Sequence, residues 1–347
     1  MFDRLVGNQR AQDTLRRTLT QRRVPGALLF AGEDGVGKKL FALELAKALN
    51  CLAPSGVEAC DKCSSCVRIM HFVDKPAAAD NSDDGKHIIW SEHRDVGLVK
   101  ADKRVINVNQ VRDVERETNF RPHEGKARVF ILEDADKMNA QASNALLKTL
   151  EEPAATSHLI LLTARPANLL TTIRSRCQTI RFAPLTTEEI ENYLVRNKRR
   201  AGEEARLAAH LARGRLGLAL SLNLDAYREG REAMLSVLDA LTAHQTDRVR
   251  LLRAAEDLSD AKHKDEFEPR LDVLETLIHD AWLLSLDSGA KIVNEDIRER
   301  LAPLGARLKS RHAADWMALI QNLRGQLAVN INRRVATDAL FLSMAEA

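Results

Sequence analysis

The chain has 347 residues, of which 45% are hydrophobic and 29% are charged, and this composition is typical of two or three globular domains with apolar cores. Its 52 basic and 49 acidic residues give a net charge of +3, which is too balanced to indicate nucleic-acid binding by itself. No apolar run approaches the roughly 20 residues of a membrane span, and no apolar segment follows the first residues as in a signal peptide. We therefore expect a cytoplasmic protein.

The first strongly patterned stretch is a predicted strand, a glycine-rich loop and a predicted helix. The strand covers residues 27–30 and the helix residues 40–49. The loop between them contains the glycines and lysines expected around a nucleotide phosphate: Gly32, Gly35, Gly37, Lys38 and Lys39. Glycines let backbone N–H groups turn toward phosphate oxygens, and the N-terminus of the helix adds partial positive charge. The order of elements predicts a P-loop, in which Lys38 would contact the β- and γ-phosphates.

Position 39 departs from the P-loop pattern. A P-loop normally has Ser or Thr there, because the hydroxyl binds Mg²⁺. Lys39 has no side-chain oxygen and adds a second positive charge beside the phosphates. The sequence therefore predicts a nucleotide-binding fold but argues against ordinary binding of ATP with Mg²⁺ and against hydrolysis. An ordinary glycine turn in an α/β domain is the alternative.

Four of the five cysteines cluster directly after this helix: Cys51, Cys60, Cys63 and Cys66. The Cys-x2-Cys-x2-Cys run and one cysteine upstream supply four thiolates for a single ion. Zn²⁺ favours a tetrahedral sulfur site, and such a closed site is structural because no position remains for water. We expect a structural zinc module at about residues 50–70, with His71 at the surface. An iron–sulfur cluster and four reduced cysteines without a metal are the alternatives.

The segment after the cysteines has the composition of a loop. Residues 74–104 are polar and interrupted by Pro, Gly, Asp and Asn, and only residues 87–90 resemble a strand. Because these residue types favour turns over regular elements, we interpret the rest of the segment as an exposed insertion.

A second predicted strand, residues 128–132, ends in Glu133 and Asp134. Its continuous apolar run is typical of a strand buried on both faces. A Walker B motif places two carboxylates here, one near Mg²⁺ and one to orient water. The usual order is Asp then Glu, and this chain has the reverse, so both side-chain lengths differ from the usual ones. A charged turn after a core strand is the alternative.

A third predicted strand, residues 158–163, has the polar Thr163 at its C-terminal end. Ligands of open parallel sheets bind at the carboxyl ends of the strands. Thr163 is therefore a candidate for contacting the γ-phosphate. A strand-end threonine without a role is the alternative.

The most specific segments are residues 143–153 and 174–182. They contain Asn-Ala-Leu-Leu-Lys-Thr-Leu-Glu-Glu-Pro and Ser-Arg-Cys. With the Gly-x4-Gly-Lys loop and the four-cysteine module, they resemble the bacterial clamp-loader branch of the AAA+ ATPases over essentially the whole chain. The resemblance implies an α/β AAA+ P-loop domain with a parallel sheet and an inserted zinc module at residues 1–182. It also implies a small helical lid at 183–242 and an all-α collar domain for oligomerisation at 243–347.

The resemblance also implies a role for Arg176, the arginine of Ser-Arg-Cys. In clamp loaders this arginine reaches across a subunit interface to ATP bound by the neighbouring tau/gamma subunit. The planar, permanently charged guanidinium of such an arginine finger stabilises charge on the transferring phosphoryl group. A solvated surface arginine is the alternative.

Three positions depart from the ATPase pattern that the resemblance implies. Besides Lys39 and the reversed acids, Gly217 stands where the lid would carry a sensor arginine, and Arg215 comes two positions early. We therefore expect a structural clamp-loader subunit of a DNA polymerase holoenzyme, with weak or absent ATPase activity of its own.

The expected partners are the delta and tau/gamma subunits, the sliding clamp and, through backbone phosphates, primer–template DNA. A self-sufficient AAA+ ATPase that remodels DNA or protein and a zinc-dependent nucleic-acid-binding module are the alternatives.

Overall fold

The computed structural model describes residues 5–73, 87–102, 104–243, 247–260, 266–327 and 332–346. The chain divides into two compact units. The first consists of Met1–Arg199 and Ala212–Leu220, and the second of Arg200–Leu211 and Ser221–Ala347. The domain boundaries expected after residues 182 and 242 stay predictions.

A mostly parallel β-sheet is the centre of the first unit. Its strands are β1 (Ala27–Ala31), β2 (Ile89–Trp90), β3 (Val96–Val99), β4 (Arg128–Leu132), β5 (Ser157–Thr163) and β6 (Gln178–Arg181). They lie in the order β2-β3-β4-β5-β1-β6, and β2 alone among these six strands is antiparallel to its neighbour. Ala31 pairs with Thr163 in the register of β1 and β5. The carboxyl ends of these strands therefore meet at one edge.

The helices of the described residues follow in chain order. They are α1 (Gln9–Thr20), α2 (Lys38–Asn50), α3 (Ser64–Ile69), α4 (Val108–Thr118), α5 (Ala140–Glu151), α6 (Thr171–Arg176), α7 (Thr187–Arg196), α8 (Gly202–Leu211), α9 (Leu216–Ser221), α10 (Leu224–Thr242), α11 (Arg248–Ser259), α12 (Phe267–Leu286), α13 (Arg298–Arg307), α14 (Ser310–Leu327) and α15 (Arg333–Glu346). Within the described ranges, no helix is both long and apolar enough to cross a bilayer.

The central strands are apolar along their whole length because helices cover both faces of the sheet. On one face, Phe30 and Ile131 pack with Phe41 of α2. On the other face, Phe130 and Leu161 pack with side chains of α5 and α6. The strands predicted at residues 27–30, 128–132 and 158–163 are thus confirmed.

The interpretation of residues 74–104 as an exposed insertion is wrong for β3. Val96–Val99 is fully buried and lies between β2 and β4. Gly97 makes this packing possible, because a Cβ atom there would lie 2.6 Å from Cγ2 of Ile88 and 3.3 Å from Cδ1 of Phe130. The predicted insertion also includes residues 74–86 and residue 103, which lie outside the described residues.

The second unit is helical around one apolar core, to which α10–α15 contribute.

A buried polar network holds the loop after α12. Asp280 is fully buried, and its carboxylate accepts from the backbone N–H groups of Val293 (3.0 Å) and Asn294 (2.8 Å) and from Nδ2 of Asn294 (2.8 Å). Oδ1 of Asn294 in turn accepts from the hydroxyl of Tyr227 (2.7 Å) and from Nη1 of Arg231 (3.1 Å).

Replacing Asp280 by alanine leaves three donors without their acceptor, two of them buried and one partly buried. We expect the free energy of unfolding to fall by about 3 kcal/mol, measured by urea denaturation followed by circular dichroism. The exposed carboxylate of Glu299 on α13 is the matched control, and Glu299→Ala should change stability by less than about 0.5 kcal/mol. Equal effects of the two substitutions would contradict the structural role of Asp280.

Candidate functional site

The glycine-rich loop connects β1 to the N-terminus of α2. Gly35 and Gly37 have φ angles of 81° and 101°, in the left-handed region that favours glycine. The N–H of Gly32 donates to the carbonyl of Thr163 (3.1 Å), which extends the pairing of β1 with β5 into the loop. A Cβ atom on Gly32 would lie 2.4 Å from the carbonyl oxygen of Phe182. The loop thus has the strand–turn–helix context of an anion site.

Lys38, the first residue of α2, is turned back into the loop. Its side chain is almost completely buried, and Nζ donates to the carbonyls of Gly32 (2.5 Å) and Glu33 (2.8 Å). The carboxylate of Asp34 lies 3.4 Å from the same nitrogen. The loop itself therefore holds this ammonium group among the backbone atoms that surround a bound phosphate in a P-loop.

Lys39 forms an ion pair with the first acid after β4. Its Nζ lies 2.9 Å from Oε1 of Glu133, and both side chains are partly shielded from solvent. The aromatic ring of Phe72 is on the same side, with its centroid 5.8 Å from Nζ. A lysine thus contacts the carboxylate that would face Mg²⁺ in an ATPase.

The other two acids at this edge also have protein partners. Asp134 pairs with Lys137 (2.8 Å), and this hydrogen bond raises the pKa of Lys137. The hydroxyl of Thr163 donates to Oδ1 of Asp136 (2.6 Å) and accepts from the N–H of Arg165 (2.9 Å). The structure therefore brings Glu133, Asp134 and Thr163 to one edge, as expected from parallel strands, and adds Asp136, to which we assigned no role from the sequence.

This donor set does not fit the Mg²⁺ site of a P-loop ATPase. That site needs a hydroxyl at position 39 and an available carboxylate after the second strand. Here Lys39 offers only N–H donors, and it already neutralises Glu133. A divalent cation at this place would have to displace an ammonium group from its carboxylate.

The turn at residues 214–217 packs directly onto the loop. The N–H of Gly217 donates to the carbonyl of Gly35 (3.0 Å), and a Cβ atom on Gly35 would lie 3.1 Å from Cβ of Arg215. Nε of Arg215 donates to the carbonyl of Ala212 (3.3 Å). At position 217 the chain thus contributes a backbone hydrogen bond to the loop instead of a cationic side chain.

Arg176 is the last residue of α6 and lies at the surface. Its Nη2 is 2.6 Å from Oε1 of Glu151, and its Nη1 donates to the carbonyl of Thr172 (3.0 Å). The neighbouring Ile173 and Cys177 are buried and anchor the helix. The guanidinium group is therefore held in one direction while about a third of the side chain remains exposed.

The four clustered cysteines lie close enough to hold one metal ion. Their Sγ atoms are all within 4.8 Å of one another. Cys51 follows α2, and Cys66 lies on α3; both are buried, and Cys60 and Cys63 are partly exposed. Cys51 and Cys63 are 3.9 Å apart at Sγ, and each of the four is a free thiol. His71 is exposed and is not part of this sulfur group.

The local environment divides the four thiols into two pairs. Burial raises the pKa of Cys51 and Cys66, whereas backbone N–H donors lower the pKa of Cys60. Burial also opposes ionisation of Cys63, but hydrogen bonds from the backbones of Cys66 and Leu52 outweigh it and lower its pKa to about 6. Thiolates are the metal-binding form, so two ligands ionise readily and a bound cation favours ionisation of the others.

Polar contacts join the cysteine module to the rest of the first unit. Oδ1 of Asn50 accepts from the N–H groups of Lys126 (2.9 Å) and Ala127 (3.0 Å), which lead into β4. Arg68 forms a bidentate pair with Glu124 (2.6 and 3.2 Å). Because Glu124 neutralises Arg68, this arginine adds little net positive charge around the cysteines, which argues against a nucleic-acid-binding zinc module.

Comparisons with known proteins identify relatives over most of the chain. A family model described as DNA polymerase III, delta subunit, matches residues 7–75 and 71–186. Subunit delta' of DNA polymerase III from Bacillus subtilis (strain 168) is 28% identical over 339 residues, 97% of this chain and 96% of that protein. Subunit delta' from Escherichia coli (strain K12) is 28% identical over 318 residues, 91% of this chain and 87% of that protein. Subunit tau from Bacillus subtilis is 30% identical over 285 residues, 79% of this chain but 46% of tau.

Thiol reactivity tests whether the cysteine cluster holds a metal. The test uses an aromatic disulfide reagent that releases a coloured product when it reacts with a thiol. We expect this reagent to modify the four clustered cysteines slowly in the purified protein. After a chelator is added, the modification should be fast. Substituting Cys63→Ser should lower the metal content, because a tetrahedral site loses one ligand. Cys177→Ser is the matched control, since Cys177 is buried outside the cluster and burial raises its pKa to about 12. Rapid modification of all four thiols without a chelator would contradict a metal site.

Proposed function

Because this chain belongs to the family of DNA polymerase III delta' subunits, we propose that it works as the delta' subunit of a clamp loader. It assembles with delta and tau/gamma subunits, supplies Arg176 to ATP held by a neighbouring subunit, and helps to load the sliding clamp onto primed DNA. Its contacts with primer–template DNA are to backbone phosphates, and it acts in the cytoplasm. Residues 243–347 provide the collar through which the subunits assemble.

The placement of Arg176 is the observation that carries this proposal. An arginine finger needs a rigid base and a guanidinium group that can exchange its partner for a phosphate. Buried Ile173 fixes the base on α6, and the guanidinium group, about a third exposed, pairs with the exposed Glu151. Ion pairs at the surface contribute only about 0–1 kcal/mol. Exchanging Glu151 for a phosphate of a neighbouring subunit therefore costs little.

The chain's own loop supports a structural role rather than hydrolysis. Lys39 replaces the Mg²⁺ ligand and pairs with Glu133. Asp134 pairs with Lys137, so both acids after β4 have a lysine partner within the chain. Gly217 brings a backbone N–H to the loop where a sensor arginine would bring positive charge. These contacts are the opposite of what a self-sufficient ATPase requires.

Turnover of ATP by a reconstituted clamp loader tests the role of Arg176. In the presence of clamp and primed DNA, Arg176→Ala should reduce turnover at the dependent site by about 10³-fold, with a smaller loss for the whole complex because other sites continue. Arg176→Lys should restore little, since lysine lacks the planar fork. Arg174→Ala is the control, because Arg174 lies on the same helix and its side chain donates a hydrogen bond to the neighbouring Thr171.

Two outcomes would contradict the proposal. Unchanged ATP turnover by an intact Arg176→Ala complex would exclude the arginine-finger role of Arg176. Size-exclusion chromatography verifies that this complex is assembled. ATP turnover by the isolated chain would favour the alternative of a self-sufficient AAA+ ATPase.

We also propose that the metal is Zn²⁺ with a structural role. Four sulfur ligands within reach of one ion suit Zn²⁺ and leave no open position for water. Elemental analysis by mass spectrometry should find one zinc per chain, and its removal should lower the melting temperature. Iron with visible charge-transfer absorption would instead identify an iron–sulfur cluster.

A further inference from the structure

Three carboxylates lie at the carboxyl edge of the sheet beside the glycine loop. Each has a protein partner: Glu133 pairs with Lys39 (2.9 Å), Asp134 with Lys137 (2.8 Å), and Asp136 accepts from Thr163 (2.6 Å). Two of the partners are lysines. This edge therefore already contains the positive charge that a divalent cation would otherwise bring.

Lys39 is the residue that stands in the position of the metal ligand. It lies in the first turn of α2, directly after the loop lysine Lys38. Its ammonium group has three N–H donors, one of which serves Glu133. Its side chain is 39% exposed, so the group can also donate toward an anion in the loop. An ammonium between an acid and a phosphate places a positive charge where Mg²⁺ lies in a P-loop ATPase, with one charge instead of two.

We propose that the loop binds the polyphosphate of a nucleoside di- or triphosphate without a divalent cation, and that the Lys39 ammonium takes the place of Mg²⁺. Lys38 and Lys39 together bring two positive charges to the phosphates. A nucleotide with bound Mg²⁺ would bring a third cation beside the ammonium groups of Lys38 and Lys39. Position 39 would offer this Mg²⁺ no oxygen ligand. The chain therefore prefers the metal-free nucleotide and holds it without hydrolysing it.

Nucleotide affinity of the full-length chain with and without metal tests this preference. Isothermal titration calorimetry with ADP and with ATP compares the affinity in excess EDTA with the affinity in saturating Mg²⁺. The affinity in EDTA should be equal or higher. A requirement for Mg²⁺ would overturn the proposal, and so would the absence of binding in EDTA. The isolated chain is used and Arg176 takes no part, so this result is distinguishable from the clamp-loader test.

Four substitutions connect the preference to Lys39. Lys39→Met should weaken binding in EDTA by about tenfold to a hundredfold, the usual range for losing a charged hydrogen bond, and Mg²⁺ should not rescue it. Lys39→Thr should show the same loss in EDTA but recover affinity when Mg²⁺ is added, because threonine supplies the hydroxyl ligand. Lys39→Arg keeps the positive charge, and nucleotide binding by this variant should remain independent of Mg²⁺. Retained binding would show that a substitution at position 39 does not by itself unfold the loop. Lys38→Ala should weaken binding under both conditions.

The control is Lys309→Thr, a change at an exposed lysine of the second unit. It should leave binding unchanged with and without Mg²⁺. If Lys39→Thr and Lys309→Thr behave alike, or if Lys38→Ala binds as the unmodified chain does, the nucleotide does not lie in the loop and the proposal fails.

Discussion

Burial of β1, β4 and β5 on both faces is the constraint on which the first unit depends. Strands covered on both sides by helices must be apolar along their length and are usually parallel. Parallel strands end at the same edge, so the residues that follow them are brought together. The N–H of Gly32 continues the ladder to the carbonyl of Thr163, which places the glycine loop beside the acids after β4. Apolar packing thus determines where the polar chemistry occurs.

The first unit uses paired charges in different ways at the two edges of its sheet. The Lys39–Glu133 pair is partly shielded from solvent and joins two elements of the site. The Arg176–Glu151 pair is exposed and easily exchanged. Arg128, in contrast, is completely buried, pairs with Glu117 and lies over the ring of Trp90, so its role is to hold β4 in the fold. Burial therefore distinguishes the charges that can meet a ligand from those that maintain the sheet.

Much of this arrangement is predictable from sequence because it depends on local patterns. Continuous apolar runs predict β1, β4 and β5, and cysteine spacing predicts the sulfur cluster. The Thr-x2-Glu spacing of Thr186 and Glu189 is typical of a capping box, which these residues form at the start of α7. Strand β3 was missed because it is four residues long, contains Gly97 and follows a charged stretch. Partners of Lys39 and Arg176 could not be predicted, since they come from distant elements and a sequence pattern gives no distance between side chains. The same holds for the backbone contact between Gly217 and Gly35.

The order of the two acids after β4 has a consequence for any attempt to convert this chain into an ATPase. Asp134 has a φ angle of 50°, in the left-handed region. Short polar side chains such as Asp adopt this region more readily than Glu, and other residues pay about 1–2 kcal/mol there. Restoring the usual order would place Glu at this left-handed position, at a cost of about 1–2 kcal/mol of stability if the backbone of the turn keeps its path. The reversed acids thus match the shape of the turn, and a conversion would have to consider the turn as well as the side chains.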